Sequence, residues 1–314
     1  MVSDIRVPVL EAVPNISEGR DLGLIRDMVA LISGYDVEVL DWSTDPDHHR
    51  AVITFIGPPT AVEDASVSLA DFVREHVDLR KHRGVHPRIG ALDVLPFVPL
   101  NDMSMIEAVH SARRVAEAIS ALGVPVYHYG YASSPPGLDL ATLRRGGFEE
   151  LTGGWPLDRL PDQTAGRSSA HPTAGVTCVG ARQVLLAWNI FTEGITLQDA
   201  RSIASKIRER DGGFAGVRAL GLVLEVSGRI QVSMNLEDPF RTSPLDVFDA
   251  IAFEVCALGG QVTETEVVGM LPDTLVLRNC EDRLKLPDPG HARRLSERLA
   301  RHIAARKDGR RGGS

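Results

Sequence analysis

His82 and His86 stand four residues apart in "KHRGVHPRIG", with Lys81, Arg83 and Arg88 around them. On a helix that spacing would bring two imidazoles to one metal ion. Gly84 and Pro87 disfavour a helix here, so the spacing loses that meaning and no metal is expected. What remains is a loop histidine able to give or take a proton, because imidazole titrates near neutrality. His86 is the candidate acid or base, and Arg88 beside it suits an anion. A surface loop without a role is the competing reading.

Three further clusters carry polar chemistry. "DWSTDPDHHR" (41–50) packs three aspartates, two histidines and an arginine into a hairpin connection. It reads equally as a solvated turn or as a polar site at strand ends, since site residues gather on loops held by rigid scaffolds. "VPNISEG" (13–19) runs from a strand into a polar turn, where Asn15, Ser17 and Glu18 either contact a ligand or merely cap the following helix. "AGRSSAHPTAG" (165–175) is made of small residues that let backbone N–H groups approach a planar or anionic ligand. A flexible linker is the alternative.

The elements that must position these clusters follow from periodicity. "TLQDARSIASKIRERDG" (196–212) has helical spacing, with Ala200, Ile203, Ala204 and Ile207 on one face and Gly212 as the expected C-cap. "GARQVLLAWNI" (180–190) reads as a strand, and "VRALGLVLEVSGRIQVSMNL" (217–236) as two strands around a Ser-Gly turn. Ser243 and Pro244 open a helix, and "TETEVVGMLP" closes as a strand. The order is β-α-β-β-α-β, a ferredoxin-like split unit. The first half gives the same series, extended by a helix and a strand. The fold class is therefore α+β with two ferredoxin-like (βαββαβ) subdomains. Expected boundaries are 1–178 with the linker, 179–290, and a C-terminal helix with a disordered basic tail at 291–314. Residues 133–175 run long for a compact connection, which favours function or disorder.

The 314 residues carry 34 Lys and Arg against 42 Asp and Glu, a net charge of −8 that argues against bulk attraction to nucleic acid or acidic membranes. Nothing reads as a signal peptide or as a run of roughly 18 apolar residues. Cys178, Cys256 and Cys280 are odd in number and outside any C-x-x-C, which reads as reduced thiols in the cytoplasm.

Taken together, "VPNISEG", "DPDHHRAVITFIG", "RGVHPRIGALDVLPFVP", "GVPVYHYG", "HPTAGVTCVGAR" and "EVVGMLP" resemble the formiminotransferase domain of the glutamate formimidoyltransferase family. The likeness runs from about residue 10 to about residue 275, and "GVHPRIGALDV" is its most specific motif. The resemblance implies a one-carbon group transferase of histidine degradation, moving a formimidoyl group from N-formimidoyl-L-glutamate to N5 of tetrahydrofolate. An N-formylglutamate donor, or a metal-dependent hydrolase built on His48, His49, His82 and His86, are the alternatives. The family's catalytic histidine falls on His86 and not His82. Its folate-contacting loop falls on Gly166, Arg167, Ser168, Ser169, Ala170, His171, Pro172, Thr173, Ala174 and Gly175. The cleft between two subdomains would hold the folate as co-substrate, and a homodimer is implied.

Departures from the family pattern are Ser43, where animal enzymes carry an acidic residue, His49 in place of Asn, and Arg167 in place of Pro. Asp45 is then the carboxylate expected to stabilise the cationic amidinium of the donor, with Asp47 as its alternative. Arg50, Arg88 and Arg182 are the guanidiniums expected to hold substrate carboxylates. Partners are thus the two small molecules.

Overall fold

The computed structural model describes residues 6–84, 86–224, 227–275, 283–287 and 293–311. The chain divides into two compact units, 1–182 with 302–314, and 183–301.

The first unit opens with β1 (Leu10–Ala12) and β2 (Asn15–Ile16), two parts of one line interrupted at Val13 and Pro14. There follow α1 (Leu22–Ser33), β3 (Glu38–Asp45), β4 (Arg50–Gly57), α2 (Pro59–His76) and β5 (Leu92–Pro99). Then come α3 (Met105–Ala121), β6 (Val126–Gly130), the short α4 (Leu140–Leu143) and α5 (Gly147–Thr152), and β7 (Thr177–Ala181). Across the sheet, β3 pairs β4, and β4 pairs β1 and β2. These pair β5, and β5, β7 and β6 run parallel. The additions to the β-α-β-β-α-β series are thus three helices, two of them short, and two strands, where one helix and one strand were expected. β7 was expected at the head of the second half, but its ladder puts it between β5 and β6.

Local chemistry explains the helices. Asp21 caps α1 by accepting from Leu24 N at 3.0 Å, and Ile25, Met28 and Ile32 bury one stripe. Pro59 starts α2, where its missing N–H costs nothing. Ser104 and Glu107 form a reciprocal capping box on α3. Leu10, Phe55, Phe97 and Leu69 are fully buried in this core, each contributing about 1.5–3 kcal/mol. β5 is buried almost end to end, as its apolar run predicts. Asp93 is the exception in type, a carboxylate with no exposed surface.

The second unit holds β8 (Leu186–Glu193), α6 (Leu197–Ile207), β9 (Val217–Val223), β10 (Ile230–Leu236), α7 (Pro244–Ala257) and β11 (Gln261–Val268). Its four strands are all antiparallel, in the order β11-β8-β10-β9. The stretch 180–190 is two strands, β7 and β8, in separate sheets. α6 buries Ala200, Ile203, Ala204 and Ile207, the expected face. It stops at Ile207 rather than running to Gly212, because Arg208 is extended with ψ 141°. Gly212 instead ends a following 3-10 turn with φ 94°.

A last helix, α8 (Leu295–Arg311), brings His302 Nδ1 within 3.0 Å of Glu38 Oε2 and pairs Arg306 with Asp36 at 2.6 Å. Residues 312–314 of the basic tail and Cys280 lie outside the described residues. Cys178 is buried and Cys256 exposed, both as free thiols. Among the described residues no helix is long and apolar enough to cross a membrane.

Candidate functional site

The loop that carries His86 is fastened on three sides. Asp93, at the start of β5, accepts through Oδ1 from Ile89 N at 2.9 Å and Gly90 N at 3.1 Å. Ser17 Oγ donates to Gly90 O at 2.7 Å. Gly84 lies so close to the hairpin connection that a Cβ there would stand 2.3 Å from His48 O. Glycine is the residue that allows this approach.

His86 is half-buried, with Nδ1 2.8 Å from Pro87 O. Two contacts compete for Nδ1, since Pro87 O only accepts and Arg50 Nη1 only donates; the shorter one assigns the proton to Nδ1 and the lone pair to Nε2, and Arg50 Nη1 then donates to Asp93 Oδ2 instead. Arg50 Nη1 lies 3.1 Å from the same Nδ1. Burial, then the charges of Arg50, Arg144 and His48, hold the His86 pKa well below its ordinary 6.5. The ring is therefore a neutral base at pH 7.

Arg50 is itself held by acceptors. Its Nε and Nη2 donate to Asn15 Oδ1 at 3.1 and 2.7 Å, and Nη1 donates to Asp93 Oδ2 at 3.0 Å. Arg144 Nη2 donates to that same Asp93 oxygen at 2.5 Å. Burial lowers the Arg50 pKa to about 10, helped by Arg144 and opposed by Asp93. Burial raises the Asp93 pKa, but Arg144, Arg50 and the Ile89 amide outweigh it and keep the carboxyl below its usual range. Arg144 arrives from the long connection, where Arg159 Nη1 pins the end of α4 by donating to Thr142 O and Leu143 O at 3.2 and 3.3 Å.

In the 41–50 connection, Asp45 Oδ1 accepts from Asp47 N at 2.8 Å and His48 N at 2.9 Å. Its Oδ2 lies 3.3 Å from His48 Nδ1. The His48 and His86 rings are 5.9 Å apart between centroids. His49 takes a left-handed φ of 51° and stacks on His82 at 4.4 Å. His82 Nε2 donates to His49 O at 2.8 Å. Burial is the main cause that takes the His82 pKa down to about 4, so this ring is a neutral packing element. Asp47, His48 and His49 are all buried, which a solvated turn would not be.

Each remaining sequence candidate has a definite place. Glu18 Oε1 accepts from Arg20 N at 2.7 Å and Asp21 N at 3.0 Å, and faces His49 Nε2 at 3.3 Å. It serves the helix start and the histidine pair together. Arg88 turns to the exposed Glu149 at 2.8 Å and lies over the Phe148 ring. The Arg182 side chain hydrogen-bonds the buried Tyr129. The loop Gly166–Gly175 is no free linker. Trp155 Nε1 donates to Arg167 O at 3.0 Å, Ala170 N to Leu151 O at 2.9 Å, Leu79 N to Thr173 O at 2.9 Å, and Ala91 N to Ala174 O at 2.8 Å. His171 Nδ1 accepts from Ala174 N at 3.0 Å. Gly166, Ser168 and Pro172 are exposed, with Ser169 half-buried between them. Among the described residues no three His, Cys, Asp or Glu side chains gather as metal ligands.

Two residues of the cluster escaped sequence reasoning. Asp93 had a signal, a lone carboxylate inside the apolar run "ALDVLPFV". Arg144 had none, because nothing in the connection points 51 positions back to Asp93.

With this geometry in place, comparisons with known proteins are specific. Residues 9–182 match the formiminotransferase domain, N-terminal subdomain, and residues 187–284 match the formiminotransferase domain. A glutamate formimidoyltransferase of Streptococcus pyogenes serotype M1 is 36% identical over 295 residues, 92% of this chain and 97% of that protein. One of Thermoplasma acidophilum is 35% identical, covering 86% of this chain and 90% of its own. The formimidoyltransferase-cyclodeaminase of Rattus norvegicus is 35% identical over 84% of this chain and 50% of that protein.

Proposed function

The chain belongs to the formiminotransferase domain family, and on that premise we propose that it transfers a formimidoyl group between N-formimidoyl-L-glutamate and N5 of tetrahydrofolate. The observation that carries this reading is the neutral His86, with Nδ1–H committed to Pro87 O and Nε2 left as a base. The attacking nitrogen is a secondary amine that must lose a proton as the new C–N bond forms. His86 takes that proton. Burial, helped by the charges of Arg50 and Arg144, keeps the ring unprotonated, and Asn15 and Asp93 keep Arg50 in place. Arg50 thus acts by its charge rather than as a carboxylate clamp.

Arg88 and Arg182 remain the guanidiniums for substrate carboxylates. The Arg88 partner Glu149 is largely exposed, so an incoming carboxylate displaces a weakly held ion pair. Tetrahydrofolate, as co-substrate, is assigned to the Gly166–Gly175 loop. The fit is supported by Arg167 Nε, a buried donor with no acceptor among the described residues, and by the open space at Gly166, where a Cβ would meet nothing within 4 Å. Ser17 and Glu18 hold the loops around this site. We read each unit as ferredoxin-like: β5-β1-β4-β3 and β11-β8-β10-β9 share one strand order, fourth-first-third-second. A homodimer and a cytoplasmic location belong to the same reading.

The test is a two-substrate assay with tetrahydrofolate, comparing N-formimidoyl-L-glutamate with N-formyl-L-glutamate. Turnover of the formimidoyl donor at least about tenfold above the formyl donor, a gap of about 1.4 kcal/mol, is expected. Preference for the formyl donor, or turnover that does not depend on folate, overturns the reading.

A further inference from the structure

We propose that His48, oriented by Asp45, is a second acid–base group of the transfer, delivering a proton to the departing nitrogen while His86 removes one from the entering nitrogen. This rests on the formimidoyl-transfer reading above.

The chemistry asks for two proton positions. One C–N bond forms to the incoming amine, whose N–H proton passes to His86 Nε2. A second C–N bond breaks, and its electron pair returns to the glutamate nitrogen, which takes a proton from the His48 imidazolium. The two nitrogens sit on different sides of the carbon being transferred. One imidazole serves both nitrogens in turn only where both reach its free nitrogen, and His86 is held in place by Pro87 and the loop contacts.

The structure places a second imidazole where that step needs one. His48 is buried, and its ring lies 5.9 Å from that of His86 between centroids, tilted by 57°. Asp45 Oδ2 is 3.3 Å from His48 Nδ1, and Asp45 Oδ1 is pinned by two backbone N–H groups, so the carboxylate cannot swing away. A carboxylate behind one ring nitrogen orients the ring and pairs with its charged form, the arrangement that serves acid–base histidines elsewhere. The charged groups around the two rings differ in sign. His86 faces Arg50 and Arg144, whose charges Asp93 shares, whereas His48 faces the Asp45 carboxylate. Two like groups in opposed surroundings are a division into base and acid. After one cycle His86 holds the extra proton and His48 lacks one. A gap of this size is bridged by one water, which returns the proton and closes the cycle.

This reading also gives Asp45 a different task. With both its oxygens committed to the turn and to His48, it is a positioning residue rather than a direct partner of the donor amidinium.

The experiment uses the full chain with tetrahydrofolate and two donors, N-formimidoyl-L-glutamate and an N-formimidoyl-aminobenzoate, whose arylamine leaves with little need of a proton. His48→Gln is expected to lower kcat about 100-fold with the glutamate donor. The alkaline limb of its pH profile disappears, because the group that must stay protonated is gone. With the arylamine donor the deficit shrinks at least about tenfold, relief that only a lost general acid explains. Asp45→Asn keeps the backbone acceptor and removes the charge, and it shows the same pattern more weakly. His48→Gln turnover within about threefold of wild type, or an equal deficit with both donors, overturns the proposal. Wild-type chain inactive with both donors would instead overturn the function reading, so the two failures are distinguishable.

Discussion

Arg50 Nη1 stands 3.1 Å from His86 Nδ1, so a guanidinium and an imidazole that repel as cations are held in contact. The contact persists because His86 stays neutral. On the proposed role of His86 as base, the active form is the neutral ring, and its pKa is held well below 6.5, first by burial. Activity therefore falls only as pH drops far below that value. Arg50→Met removes one charge that depresses the pKa, so the acid limb of kcat/KM moves up toward 6.5. His86→Ala lowers kcat by about 10²–10⁴, the usual worth of a positioned acid–base group. His82→Ala, which removes a packing element, costs much less turnover. A pH series of steady-state rates checks all three, and an unmoved limb in Arg50→Met would sink the electrostatic account.

Asp93 holds two arginines and two backbone amides with no exposed surface of its own. Removing its charge leaves Arg50 and Arg144 buried against each other. Breaking a buried pair in this way costs about 3–5 kcal/mol. Asp93→Asn is expected to lower the urea midpoint accordingly, with the slope of the transition unchanged. A loss below about 1 kcal/mol would show that water already screens the cluster.

Helix faces were legible because burial repeats with the helical period, as at Ala200, Ile203, Ala204 and Ile207. The cap at Ser243 and the proline start at Pro59 were legible because their chemistry is local. The end of α6 was not, since Gly213 packs on the Ile207 backbone and the chain turns before Gly212. The sheet membership of β7 was hidden too, because strand pairing is a tertiary choice. In the site, "VHPRIGALDV" and "DPDHHR" announced polar loops. Which residues touch depends on long-range pairs such as Arg144 with Asp93, and on Glu149 drawing Arg88 aside. No local pattern encodes those.

Two buried groups tilt the pH dependence of stability in opposite directions. His82 has a folded pKa of about 4 against an ordinary 6.5. Its contribution is present above 6.5 and is lost as pH falls toward 4, because the unfolded chain binds the proton first. Glu11, buried on β1, is raised from 4.5 to about 7, mainly by burial. The folded chain keeps a proton that the unfolded chain releases, so this contribution is lost as pH rises from 4.5 to 7. Each slope reaches at most about 1.4 kcal/mol per pH unit. Between pH 4.5 and 6.5, His82→Gln should make stability fall more steeply with rising pH than wild type. Glu11→Gln should make it rise more steeply. Denaturant titrations at three pH values decide this, and parallel curves for all three proteins would refute both assignments.

Gly175 and Gly166 share a left-handed backbone, with φ of 70° and 71°, but only one of them is crowded. A Cβ on Gly175 would lie 2.1 Å from Ile89 O and 2.7 Å from Leu79 Cδ1, whereas one on Gly166 meets nothing within 4 Å. Alanine at either site carries the left-handed strain, about 1 kcal/mol. At Gly175 it must also push away Ile89 O, which accepts from Val176 N at 2.9 Å. Ile89 N is in turn held by Asp93. The displacement therefore passes into the loop that carries His86. Gly166→Ala should lose about 1 kcal/mol of stability and, because it fills space proposed for folate without touching the His86 loop, change the KM for folate while keeping kcat at saturation. Gly175→Ala should lose about 3 kcal/mol or more, as overpacking adds to strain, and its kcat should fall even at temperatures where it remains folded. Thermal melts and single-turnover rates on both variants separate the two effects. Equal kcat in the two variants would mean that the Gly175 contact holds the fold but does not position the histidine.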